Sequence, residues 1–279
     1  MKKKFLLASI CAVALGVALA FTGCGSTNAS DKTIKVGAVP TPHAEILTEV
    51  VKPILEKQGY DLQVVEFDDY VLPNNALANH EIDANYFQHL PYLENYNEEN
   101  DTDLVSVATV HFEPFAIYAG KCKSLDELKQ LIDEGKKVTI AVPNDTTNEA
   151  RALLLLAANG IIKLPENADL NVTAIDILEK KDNVEIEELE AAQVARSLQD
   201  VDIACINGNY AKEAGLNVDD ALAVEDVESI AAQTYANVLA VNNNDQDNAK
   251  IKALAEALNS DEVRQYIQET YGNAVVPVF

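Results

Sequence analysis

The chain reads as an α/β protein in two lobes, each a mixed, mainly parallel sheet flanked by helices. Three observations predict this. Short β-rich apolar runs alternate with helix-former runs, giving the β-α-β order of a parallel sheet with right-handed crossovers. The pattern breaks near Lys121 and starts again, which marks a lobe boundary around Gly120. No repeat, low-complexity segment or long linker separates the two halves.

The elements follow in order. Ile34 to Val39 alternates as a strand and ends at Pro40; a helix from Pro42 carries apolar positions at Ile46, Leu47, Val50, Val51, Ile54 and Leu55 and stops at Gly59. Leu62 to Phe67 is the next strand, followed by Asp68-Asp69-Tyr70 and a short helix from Asn74 to His80. Asp83 to His89 is a brief strand running into Pro91, and Leu104 to Val110 is another, with His111-Phe112-Glu113-Pro114 just beyond it. Ser124 caps a helix, and Val138 to Pro143 then feeds a run of helix formers that ends at Gly160. Asn183 to Ile186 and Val201 to Ile206 are strands around a helix from Glu188 to Leu198, and Asn207 to Tyr210 opens a helix reaching Ala214. Tyr235 to Val241 is a late strand, and helices from Asp247 to Leu258 and Ser260 to Tyr271 close the chain.

The N-terminus predicts export. Lys2, Lys3 and Lys4 precede an apolar run from Phe5 to Phe21, and Thr22-Gly23-Cys24 resembles a lipoprotein cleavage box with Cys24 as the lipidated first residue. The expected organisation is a signal peptide over 1–23, a lipid-anchored tether over 24–32, one lobe from 33–119 with 230–279, and a second from 120–229. Removing the leader leaves 256 residues and moves the net charge from −24 to −27. That acidity argues against nucleic acid or an anionic membrane as an electrostatic partner. Cys122 and Cys205 are too few for a disulfide framework or a Cys-rich zinc site.

Ligands of open α/β sheets sit beyond the carboxyl ends of the strands. Those ends carry Pro40 to His43, Tyr70, Tyr86 to His89, His111, Asn144 to Arg151, Asn207 to Tyr210 and Asn237, a set rich in rings, amides and one guanidinium. Arg151 stands out because Ala and Leu fill the helix after it. Thr146 and Glu149 have capping-box spacing, so that helix is expected to begin there with its N–H groups at the sheet edge, where an anion fits. An Arg fork suits a carboxylate. Its plainer use is an ion pair with one of the protein's own acids.

The others have plain uses too: Tyr86 and Phe87 as core, His89 as a helix cap, Asn207 and Asn209 as turn formers. A metal triad of His43, His89 and His111 matches no common zinc spacing. No G-x-S-x-G, P-loop or H-E-x-x-H run is present, so no enzyme is expected and no cofactor. Taken together the set describes an α-amino acid: a carboxylate for Arg151, an ammonium for amide oxygens and an uncharged side chain between rings.

The runs Thr41-Pro42-His43-Ala44-Glu45-Ile46, Glu66-Phe67-Asp68-Asp69-Tyr70-Val71, Asp83-Ala84-Asn85-Tyr86-Phe87-Gln88-His89, Pro143 to Leu153 and Ala274-Val275-Val276-Pro277 resemble the methionine-binding lipoproteins of ABC importers, the NlpA/MetQ family. The resemblance spans Ile34 to Phe279. It implies a type 2 periplasmic-binding-protein fold that closes on L-methionine in an interlobe cleft and delivers it to an ABC permease and its ATPase, from a lipid-anchored, extracytoplasmic position. It also implies roles: Arg151 for the carboxylate, Asn207 and Asn237 for the amino group, and Tyr70, Phe87, His89 and His111 for the thioether. Tyr86 and Asn148 complete the candidate set. The same fold binding another amino acid or a methionine-containing dipeptide stays open, as does a surface adhesin.

Overall fold

Strand direction decides what gathers at the edge of each sheet. In the computed structural model, which describes residues 32–225 and 234–279, the first β-α-β unit pairs β1 (Thr33–Ala38) in parallel with β2 (Asp61–Glu66), and β1 pairs on its other side with β3 (Ala84–His89). The leader, Cys24 and the tether as far as residue 31 lie outside the described residues. A strand near the C-terminus, β10 (Asn237–Asn242), inserts antiparallel between β3 and β4 (Leu104–Phe112), and β11 (Val276–Pro277) closes the edge. The six-stranded order is β11-β4-β10-β3-β1-β2.

A second sheet holds β5 (Ala116–Ala119), β6 (Val138–Pro143), β7 (Val184–Leu189), β8 (Ile203–Ile206) and β9 (Ala223–Val224) in the order β7-β6-β8-β5-β9. The β6–β7 and β6–β8 pairs are parallel, and β5 runs antiparallel to β8 and β9. The chain passes between sheets from Phe112 to Ala116 and returns between Val224 and Asn237.

Each sheet has its own core. Ile34, Val36, Ile46, Leu55, Leu239, Leu254 and Ile267 pack about the first, and Ile117, Leu128, Ile140, Leu153, Leu156 and Ile203 about the second. The helix that follows β6, α1 (Thr146–Ala158), is buried on nearly every side through its first three turns, as expected of a helix apolar all round. Its N-cap is Asp145, whose carboxylate accepts from the Asn148 N–H at 3.0 Å. The cap expected at Thr146 therefore falls one residue earlier: Asp145 caps as well as Thr does, and its extended backbone already leads out of the strand. The short helix after Tyr70 spans Leu72–Ala78, starting earlier than expected because Pro73 is preorganised for a first turn and Asp69 accepts from the N–H groups of Val71 and Leu72 at 2.7 and 2.8 Å. No helix among the described residues is long and apolar enough to cross a membrane.

Candidate functional site

The carboxyl ends of β3, β4, β6 and β8 face one another across the gap between the sheets. Asn237 joins them for a different reason. It begins its strand, but β10 is antiparallel, so its first residue lies opposite His89 on one side and His111 on the other.

Between the lobes lies a cavity with an empty volume of about 350 Å³, mouth included. One end is a set of rings: Tyr70, Phe87 and Tyr92 have centroids 5.9 to 6.0 Å apart, and His89 stands edge-on to Tyr92. The other end is polar, with Glu113, Asn148, Arg151, Asn207 and Asn237, while Asn209 meets the rings through Tyr70 Oη. Of the residues singled out from sequence, Tyr70, Phe87, His89, Asn148, Arg151, Asn207 and Asn237 line this space, whereas Tyr86 and His111 stand behind it. An amphipathic guest with a zwitterionic head and an apolar tail matches this division.

Arg151 is not a free guanidinium. Its Nε and Nη2 donate to the two carboxylate oxygens of Glu225 at 2.8 and 2.6 Å, and Nη2 also donates to the Glu113 carbonyl at 2.9 Å. The plainer use foreseen for it, an ion pair with one of the chain's own acids, is the one observed: a buried charge is costly alone, and Glu225 neutralises it. The pair nevertheless stands among the rings. The guanidinium carbon lies 4.2 Å from the Tyr235 ring centroid and 5.0 Å from that of Phe115, while Arg151 still lines the cavity.

A chain of oriented amides begins at the α1 cap. Asp145 accepts from Asn148 Nδ2 at 2.9 and 3.1 Å, which turns Asn148 Oδ1 outward. That oxygen pairs with His89 Nε2 at 3.2 Å, across the lobes, and accepts from Asn207 Nδ2 at 2.8 Å. Asn207 is thereby oriented in turn, and its Oδ1 is buried with no partner among the described residues. An acceptor held this way suits an ammonium. His89 Nδ1 accepts from the Tyr92 N–H at 3.2 Å, so His89 both caps the helix Leu90–Asn100 and lines the cavity. Burial, with the Arg151 charge adding to it, lowers its pKa to about 3 and keeps the ring neutral.

Behind the polar end lies a buried group of His43, His111 and Glu113 whose ligating atoms fall within 4.8 Å of one another. Hydrogen bonds already engage it. Tyr86 Oη pairs with His111 Nδ1, His111 Nε2 donates to Glu113 Oε1 at 2.9 Å, and His43 Nε2 donates to Asn237 Oδ1 at 2.9 Å. Burial lowers the pKa of His111 to about 3 and that of His43 to about 4. It pushes the Glu113 carboxyl up, against the pull of His43 and Arg151. Glu113 approaches α2 (Gly208–Glu213) so closely that a Cβ on Gly208 would stand 2.9 Å from both its Cβ and its Oε2. Only glycine leaves that passage open.

Hydrogen bonds also hold the lobes together: Tyr70 Oη donates to Asn209 Oδ1, and Tyr210 Oη reaches the Asp68 carbonyl at 3.5 Å.

Comparison with known proteins places this arrangement. The family model described as NlpA lipoprotein matches residues 34–279. This chain belongs to the NlpA lipoprotein family. The D-methionine-binding lipoprotein MetQ of Salmonella typhi is 41% identical over 92% of this chain and 93% of its own. A crystal structure of a putative lipoprotein from Ruminococcus gnavus is 56% identical with a TM-score of 0.84, covering 89% of this chain and all of that one. A nutrient binding protein from Burkholderia cenocepacia, solved bound to methionine, is 41% identical with a TM-score of 0.80, covering 88% and 100%. Within this NlpA frame the fold is two mixed sheets flanked by helices.

Sequence reasoning did not select Tyr92 or Glu113, which also line the cavity; Gln88, Gly208 and Asn209 line it too and fell within the strand-end runs, without a role assigned to them in the guest's site. Tyr92 had a local signal: it lies three residues after His89, the spacing that lets a capping ring meet the first turn. Glu225 had none, since nothing in its surroundings distinguishes it from the many other acids.

Proposed function

We propose that this NlpA-family protein captures methionine between its lobes and delivers it to an ABC permease driven by an ATPase, while held by a lipid on Cys24 at the extracytoplasmic face of the membrane. The observation that carries the reading is the division of one interlobe cavity into a ring-lined end and an end of one guanidinium and oriented amides. Arg151 takes the carboxylate, and Asn207 Oδ1, with Asn237 and Glu113, takes the ammonium. The thioether lies among Tyr70, Phe87, His89 and Tyr92, where sulfur–ring contacts contribute roughly 0.3–1.5 kcal/mol each. Tyr86 and His111 act from behind, by holding Glu113 and the edge of the sheet. The guest returns unchanged, so the protein works as a receptor. Contacts from both lobes to one guest bias the hinge toward the closed form.

The relatives support this through their names, which mention methionine and D-methionine. Calorimetric titration of the mature protein with L-methionine, D-methionine, L-leucine and a methionine-containing dipeptide tests it. Tight binding of methionine and weak binding of leucine are expected. A preference for leucine, or no binding of any methionine compound, overturns the reading. A preference for the dipeptide redirects it, and a groove at the cleft mouth that shares Tyr70 and Tyr92 with the cavity could receive the longer guest.

A further inference from the structure

We infer that Glu225 is a positioning residue for carboxylate recognition: it grips one edge of the Arg151 guanidinium, so that the third nitrogen, Nη1, is presented to the interlobe cavity, and it ties that guanidinium to both chain crossings between the lobes. The inference rests on the amino-acid reading above.

The geometry is one-sided. Glu225 takes the Nε–Nη2 edge with both oxygens, at 2.8 and 2.6 Å, and among the described residues Nη1 has no hydrogen-bond partner. Arg151 lines the cavity and Glu225 does not, which puts the protein's own carboxylate behind the guanidinium as seen by a guest. A bidentate grip on one edge sets the plane of the fork, and the rings of Tyr235, Phe115 and Phe112 flank it at 4.2, 5.0 and 5.6 Å. Nη1 therefore has little freedom to point elsewhere.

The same carboxylate is bound to the hinge. Glu225 Oε2 accepts from the Phe115 N–H at 3.1 Å, and the Glu225 N–H donates to the Phe115 carbonyl at 2.9 Å. Arg151 Nη2 donates to the Glu113 carbonyl at 2.9 Å. Glu113 to Phe115 is the first crossing between the sheets, and Glu225 opens the second, directly after β9. The nitrogen that would meet a guest thus belongs to a cluster that joins both crossings. A carboxylate drawn onto Nη1 pulls on the strands about which the lobes close.

An acid beside a carboxylate-binding arginine has an alternative use, as a stand-in that a guest displaces. The two uses have opposite signs. A displaced competitor, once neutralised, lets the guest bind more tightly, whereas loss of a positioning grip makes it bind more weakly.

The test is calorimetric titration of the mature protein and its Glu225→Gln variant with L-methionine and with L-methioninamide, which lacks the carboxylate charge. Wild type is expected to prefer methionine. In Glu225→Gln, methionine affinity should fall about tenfold or more while the amide changes less, so the ratio of the two affinities shrinks. An unchanged ratio with a lowered melting temperature would assign Glu225 a structural role only, and tighter methionine binding would make it a competitor; either overturns the inference. Should Glu225→Gln fail to fold, Glu225→Asp keeps the charge but withdraws it by one methylene, and the same ratio is read. If wild type binds neither compound, the amino-acid reading itself fails, and the inference with it.

Discussion

Replacing Arg151 by leucine separates what the guanidinium does for the fold from what it does for the guest. Arg151 and Glu225 are 4% and 10% exposed, so Arg151→Leu strands a buried carboxylate with the Phe115 N–H as its remaining donor among the described residues. Breaking a buried pair from one side costs about 3–5 kcal/mol, whereas replacing both partners by apolar groups of similar volume is often neutral. At roughly 2–4 °C per kcal/mol for a chain of this size, Arg151→Leu should lower the ligand-free melting temperature by about 6–20 °C. The double variant Arg151→Leu/Glu225→Leu should recover most of that loss. Methionine binding should not recover: both variants lack the carboxylate donor, and affinity should fall by about 2–4 kcal/mol, the penalty of leaving a charged group without its hydrogen bonds. Thermal unfolding without ligand gives the first number and calorimetric titration the second. A double variant that binds methionine as well as wild type would refute the assignment of Arg151 to the guest; a single variant as stable as wild type would refute the energetic account of the pair.

Three further outcomes follow from particular contacts. Tyr70→Phe removes an interlobe hydrogen bond to Asn209, so methionine should dissociate about 2- to 12-fold faster in stopped-flow with little change in association rate. Gly208→Ala places a methyl group 2.9 Å from the Glu113 carboxylate, and should cost about 1–3 kcal/mol of stability and weaken binding, read by urea unfolding and titration together. Glu149, buried and near the Glu188 charge, has its pKa raised from 4.5 to about 7. The folded state therefore holds a proton that the unfolded state has already released. This contribution is fully present below pH 4.5 and is lost at up to about 1.4 kcal/mol per pH unit as pH rises to about 7. Glu149→Gln should keep the bond from the Ala174 N–H at its oxygen and lose that slope; parallel unfolding curves for the two proteins at pH 5, 6, 7 and 8 would contradict it.

The strand at Val138 and the helix after it were legible because both are local: a β-rich run ending at proline, then Ala and Leu until glycine. The cap was legible to within one residue, since Asp145 and Thr146 are both cap formers and only backbone geometry chooses between them. His89 shows a different limit. Helix cap and cavity wall looked like rival readings, yet its two ring nitrogens serve both, Nδ1 toward Tyr92 and Nε2 toward Asn148.

What the sequence alone determined about this protein was its class: two α/β lobes, the run of rings and amides at strand ends, and the residues by which the NlpA family is recognised. These are written in periodicity and in short contiguous runs, which need no knowledge of partners far along the chain. The tertiary structure decided the rest. It brought Asn237 to the cleft by running its strand antiparallel between β3 and β4, placed Tyr86 and His111 behind the cavity rather than in it, and paired Arg151 with an acid 74 residues away. Those outcomes depend on direction and register between distant segments, and a charge's partner is chosen by burial, which is a property of the folded chain.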